Sequence, residues 1–116
     1  MFKLTNRFWW PVDLEVPGDG QTVKRRIEVE FKRMAQGELD ALRESNKSDA
    51  DICAELVLGW KGVKGDEDQD LGFTAENLRL LLDQVAGARL AIVATYFDAM
   101  LGAARRKNLS GLRGIG

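Results

Sequence analysis

Val23-Lys24-Arg25-Arg26-Ile27-Glu28-Val29-Glu30-Phe31-Lys32 decides how the first third of the chain folds. Val23, Ile27, Val29 and Phe31 share one parity, while Lys24, Arg26, Glu28, Glu30 and Lys32 share the other. Alternation with period two describes a strand with one buried and one wet face. Upstream, Trp10, Val12, Leu14 and Val16 alternate with Pro11, Asp13, Glu15 and Pro17. Between the two runs lies Pro17-Gly18-Asp19-Gly20, where Pro fixes φ and Gly permits positive φ. The pattern predicts an antiparallel β-hairpin. Pro11 has no N–H to give to a ladder, so the first strand is expected at an edge or starting near Val12.

Downstream of Gln36 the period changes. Leu39 and Leu42 stand three apart among charged neighbours, which predicts a short amphipathic helix. Ser48 fits an N-cap with Asp49 and Asp51 in the first turn, where negative charge suits the helix dipole. Ile52, Leu56, Val57 and Leu58 then form an apolar side, with Gly59 as the expected stop before Trp60. Residues 61–72 hold three glycines and four acids and read as a loop. Thr74 caps a third helix carrying Leu78, Leu81, Leu82 and Val85, widened by Leu80. Leu90, Val93, Tyr96, Phe97, Met100 and Leu101 recur at steps of three and four, predicting a last helix from about 88 to 106. The expected class is therefore α+β, an N-terminal antiparallel β-hairpin followed by a bundle of about four helices. One domain is expected over 1–108, with 109–116 as a flexible tail.

Composition narrows the chemistry. Seventeen Lys and Arg face eighteen Asp and Glu, for a net charge of -1. A protein that lives on phosphate contacts carries a concentrated basic surplus, so no nucleic-acid partner is expected. The one dense basic run, Arg105-Arg106-Lys107, fits the C-terminal end of a helix, where it complements the dipole. Histidine is absent, which removes the usual neutral-pH acid/base and the commonest zinc ligand. Cys53 is the single cysteine, so neither an intramolecular disulfide nor a cysteine-based zinc cluster can form. Without a histidine beside it, it reads as a small hydrophobe rather than a nucleophile. The start lacks the apolar core of a signal peptide, and no stretch approaches the ~18 apolar residues of a membrane span. A soluble, cytosolic, non-enzymatic protein without cofactor or membrane partner is expected.

Few residues invite a specific site. Asp66-Glu67-Asp68-Gln69-Asp70 opens like a calcium loop, but Leu71 stands where the sharp turn needs Gly and Asn77 where the closing acid belongs. An acidic, solvated loop is the simpler reading, with no metal. Trp9 and Trp10 are neighbours on a strand and point to opposite faces, so one can be core and the other an exposed anchor for a protein partner. Trp60 is expected as a core plug beneath the acidic loop. The last helix, with Met100, Ala99, Ala103 and Ala104, leaves room for self-association into a homo-oligomer.

Taken together, the order of features resembles a known family. An alternating strand Ile27-Glu28-Val29-Glu30-Phe31 precedes Gly59-Trp60-Lys61-Gly62-Val63, an acidic turn, and Leu71-Gly72-Phe73-Thr74-Ala75-Glu76-Asn77-Leu78; a last helix closes with Arg105-Arg106-Lys107-Asn108. This is similar to the tail assembly chaperones of long-tailed phages and prophages, which carry a W-x-G-V segment, an acidic turn, an F-[ST]-x-E-N-L helix start and a final helix ending near K-N. Trp60, Gly62, Val63, Phe73, Asn77, Leu78 and Asn108 carry the match. One departure is Gln69-Asp70-Leu71, where such proteins often place a glycine after the last Asp.

The resemblance implies a protein that binds the long, largely helical tape-measure protein, keeps it soluble and helps recruit tail-tube subunits in the host cytoplasm. It also implies absence from the mature virion, and no catalytic residue. The alternative is a structural tail-completion or head–tail joining protein retained in the particle.

Overall fold

In the computed structural model, residues 5–65 and 67–115 are described, with side chains described as far as Gly102. β1 (Arg7–Pro17) and β2 (Thr22–Lys32) pair antiparallel from Arg7 opposite Lys32 to Pro17 opposite Thr22. Residues 18–21 close the hairpin, with Gly20 at φ 76° and the Gly18 amide donating to the Gln21 carbonyl at 2.6 Å. A third strand, β3 (Val57–Lys61), pairs antiparallel with β2, giving the order β1-β2-β3. Four helices complete the fold: α1 (Gln36–Glu44), α2 (Asp49–Leu56), α3 (Ala75–Gln84) and α4 (Ala88–Ile115). The class is α+β with an N-terminal hairpin.

β1 starts at Arg7, earlier than Val12, and lies at the sheet edge. The Arg33 amide donates to the Asn6 carbonyl at 2.8 Å. Even-numbered residues of β1 therefore turn their backbone groups towards β2 and odd-numbered ones turn outwards. Pro11 falls on the outward set, where its missing N–H costs no ladder bond and blunts the edge against another strand.

The stretch Val57-Leu58-Gly59 corrects the sequence reading, which continued α2 through it. α2 ends at Leu56, and the chain passes directly into β3. Val57 lies opposite Phe31 and Trp60 opposite Val29, with a register shift between Glu30 and Phe31. Leu56-Val57-Leu58 is apolar at every step, a pattern that fits helix and strand alike. The open edge of β2 decides between them.

Helices cover one face of the sheet. Val12, Leu14, Ile27, Val29, Phe31, Val57 and Trp60 meet Ile52, Cys53 and Leu56 of α2, Leu78 and Leu82 of α3, and Ala88, Ile92 and Tyr96 of α4 in a single core. Tyr96 is fully buried, with its ring centroid 5.2 Å from Phe31 and 5.6 Å from Phe97. The buried side of α4 is thus Ala88-Ile92-Tyr96, rotated from the expected stripe, and Leu90 is 65% exposed. Gly102, at φ 57° and ψ -144°, breaks α4. Helical backbone resumes beyond it through Ile115. No single helix among the described residues is both long and apolar enough to cross a membrane.

Candidate interaction surfaces

The block from Trp60 to Leu78 folds into a tight supporting turn. β3 delivers Trp60 into the core, where its indole Nε1 donates to the Leu71 carbonyl at 2.7 Å. Gly62, at φ 86°, reverses the chain after β3. Buried Val63 accepts from the Leu71 amide at 2.8 Å, and a bridge pairs Lys64 with Asp70. The acidic loop is therefore the tip of a small hairpin held shut by its base. Phe73 meets Trp60 edge-to-face, centroids 5.2 Å apart. Thr74 caps α3 by accepting from the Asn77 amide at 3.0 Å, and the Asn77 side chain donates to the Gly72 carbonyl at 2.8 Å. Leu78 is buried beneath. Trp60, Gly62, Val63, Phe73, Asn77 and Leu78 are thus brought together, and each has a conformational reason to be there. The Asn108 side chain lies outside the described residues.

Trp9 and Trp10 sit apart from this block. They point to opposite faces of β1, as period two requires, yet both are 42% exposed. Neither is core: Trp10, on the helix-bearing face, lies beyond full cover at the sheet edge. It meets Phe8 edge-to-face at 6.3 Å. Trp9, on the open face, lies 4.3 Å beneath the Lys61 ammonium, a cation–π contact. Around them Phe8, Arg33, Ala99 and Met100 line a depression of 190 Å3. Aromatic side chains with one wet edge beside a methionine suit adaptable protein contacts.

A second surface was not anticipated. Between α2 and α3 runs an open groove of 220 Å3, walled by Ala50, Ala54, Val57, Phe73, Leu78 and Leu82. Its rim carries Asp51, Asp83 and Arg79. Ala50 and Ala54, four apart on α2, keep one wall low; that spacing was the available signal. The volume falls short of the ~300–1,000 Å3 of small-molecule sites, and an apolar lining suits a partner's side chains.

Among the described residues no group of three or more Cys, Asp or Glu could hold a metal ion, and no charged side chain is buried. Burial, and secondarily Asp49, pushes the Cys53 thiol up to about 12, away from the thiolate a nucleophile needs.

Sequence comparison gives the fold its setting. A family model described as phage tail assembly chaperone matches residues 2–108. The chain belongs to that family. No curated protein and no solved structure matches it. The matched range covers the hairpin, the supporting turn and α4 as far as residue 108. A role in tail assembly through protein partners follows from the membership, and the family is one of chaperones rather than enzymes.

Proposed function

We propose that the protein binds the tape-measure protein, keeps it soluble in the host cytoplasm, and helps bring tail-tube subunits to it before leaving the finished particle. Family membership supports the setting. The observation that carries the reading is the pair of half-exposed indoles on β1 beside Phe8 and Met100. A helical tape-measure protein offers apolar anchors along its length, and exposed Trp clusters supply most of the energy in such contacts. Many copies along one long partner would gain further from multivalency.

Co-expression with the tape-measure protein tests this. The wild-type chain raises the soluble fraction of that partner and co-purifies with it. Trp9→Ala and Trp10→Ala, folded by circular dichroism, lose both effects. If the partner stays insoluble and nothing co-purifies, the reading fails. Detection of the chain in purified virions would favour the retained structural protein instead.

A further inference from the structure

The groove between α2 and α3 takes its floor from the core. Val57, Leu78 and Leu82 are buried and line it, and Phe73 stands half-buried at its side. Ala50 and Ala54 form the α2 wall, so the space that longer side chains would fill stays open. On α3 the lining runs from Ala75 to Asp83, about 12 Å along the axis at ~1.5 Å per residue. That length accommodates two side chains one helical turn apart, about 5–6 Å.

The charge around this groove is mostly of one sign. Asp51 and Asp83 line it against the single Arg79. Over their full length α2 and α3 carry Asp49, Asp51, Glu55, Glu76 and Asp83 against that one arginine. Glu55 pairs with Lys47 at 2.9 Å. Among the described residues Asp49, Asp51, Glu76 and Asp83 make no ion pair. Asp83 stands in the last turn of α3, where no basic residue offsets it and the helix carbonyls form the negative end of the dipole. A carboxylate there works against the helix that carries it, and a cation from outside would relieve the repulsion. The groove is thus apolar at its floor and acidic at its rim.

We infer that the α2–α3 groove receives a helical segment of a protein partner that carries two apolar residues one turn apart with Lys or Arg on their flanks. The apolar pair meets Val57, Phe73, Leu78 and Leu82, as in other helix-in-groove contacts, and the basic flanks reach Asp51 and Asp83. The apolar anchors give affinity, while the charges choose among segments of similar hydrophobicity. Acidic flanks would bring like charges together, which rejects such segments. The groove shares no lining residue with the Trp9–Trp10 depression, so the inference depends neither on that surface nor on the partner proposed for it.

Titrating the full chain with two synthetic peptides tests this. Both are Ala-based, about 15 residues long so that helix can form, and carry two Leu one turn apart. One has Lys on the flanks and the other Glu. Fluorescence anisotropy should show the Lys peptide binding at least ~10-fold more tightly in ~0.1 M salt. The difference should shrink in ~1 M salt, as the screening length falls from about 10 Å to about 3 Å. Amide shifts in an NMR titration should gather on residues 50–57 and 73–83 rather than on Trp9 and Trp10. Ala54→Leu, at an exposed position, should fill the groove and block the Lys peptide. Asp51→Lys with Asp83→Lys should reverse the preference, an outcome that an unfolded variant cannot give. The inference is overturned if neither peptide binds, if both bind the wild type equally, or if the shifts gather at Trp9 and Trp10. It is equally overturned if Ala54→Leu binds like the wild type or the reversed rim keeps the wild-type preference.

Discussion

The indole Nε1 of Trp60 donates to the carbonyl of Leu71 at 2.7 Å, from a side chain only 8% exposed. This bond ties the end of β3 to the base of the acidic hairpin, and Phe73 packs edge-on against the same ring. Trp60→Phe keeps most of the apolar volume but leaves the Leu71 carbonyl without its donor. Losing this part-buried hydrogen bond costs about 1 kcal/mol. Trp60→Ala adds a cavity and costs about 3–5 kcal/mol, a large part of the stability of a domain this small. Urea unfolding of the two variants should give that order.

Tyr96 closes the other end of the core. Its hydroxyl donates to the Lys32 carbonyl at 2.8 Å, fastening α4 to the end of β2. Burial pushes its phenol up to about 12, against an ordinary value of 10.0. The folded protein thus holds the proton more tightly than the unfolded chain. The corresponding stability is fully present below pH 10 and is lost as pH rises through about 12. Since Tyr96 is the single tyrosine, ultraviolet phenolate titration reads it directly. The midpoint should lie well above 10 in the native protein and return to it in denaturant. Tyr96→Phe should cost about 1 kcal/mol and flatten this part of the alkaline decline.

Cys53 makes a third core group testable. Its residue is fully buried, its thiol lies 3.7 Å from the Arg89 carbonyl, and burial pushes the thiol up to about 12. A thiol-reactive reagent should therefore label the native protein far more slowly than the unfolded chain near neutral pH. Labelling of the native protein at the unfolded rate would mean that α2 and α4 separate readily.

The hairpin and the helix order were legible because their signals are local. Alternation over 23–32 names a strand, and Thr74 as N-cap with Glu76 in the first turn names a helix start. What was not legible depended on partners. Leu56-Val57-Leu58 satisfies either period, and only the free edge of β2 makes it a strand. Leu90 fits the apolar stripe of α4, yet the helix is rotated to bury Ile92 and Tyr96 against the sheet. Trp10 has the right parity for the core but lies where the helices no longer fully cover the sheet. The groove escaped notice because its walls come from two helices separated by residues 57–74.

Two glycines around Trp60 should respond differently to the same substitution. Gly62 has φ 86°, and an added β-carbon would find only ordinary contacts, 3.8 Å from Ile27 Cα and 3.9 Å from the Arg26 carbonyl. The cost of Gly62→Ala is therefore conformational, about 1–2 kcal/mol for a left-handed alanine. Gly59 lies within β3 without positive φ, and an added β-carbon would stand 3.4 Å from Glu30 Oε1, 3.7 Å from Glu30 Cβ and 4.0 Å from the Trp9 ring. Its closest neighbour is the far end of the Glu30 side chain at ordinary contact distance, and alanine loses less backbone freedom on folding than glycine. Gly59→Ala should thus be neutral or stabilising by about 0.5 kcal/mol. Thermal unfolding of the two variants would reverse this order only if the turn after β3 does not need its positive φ.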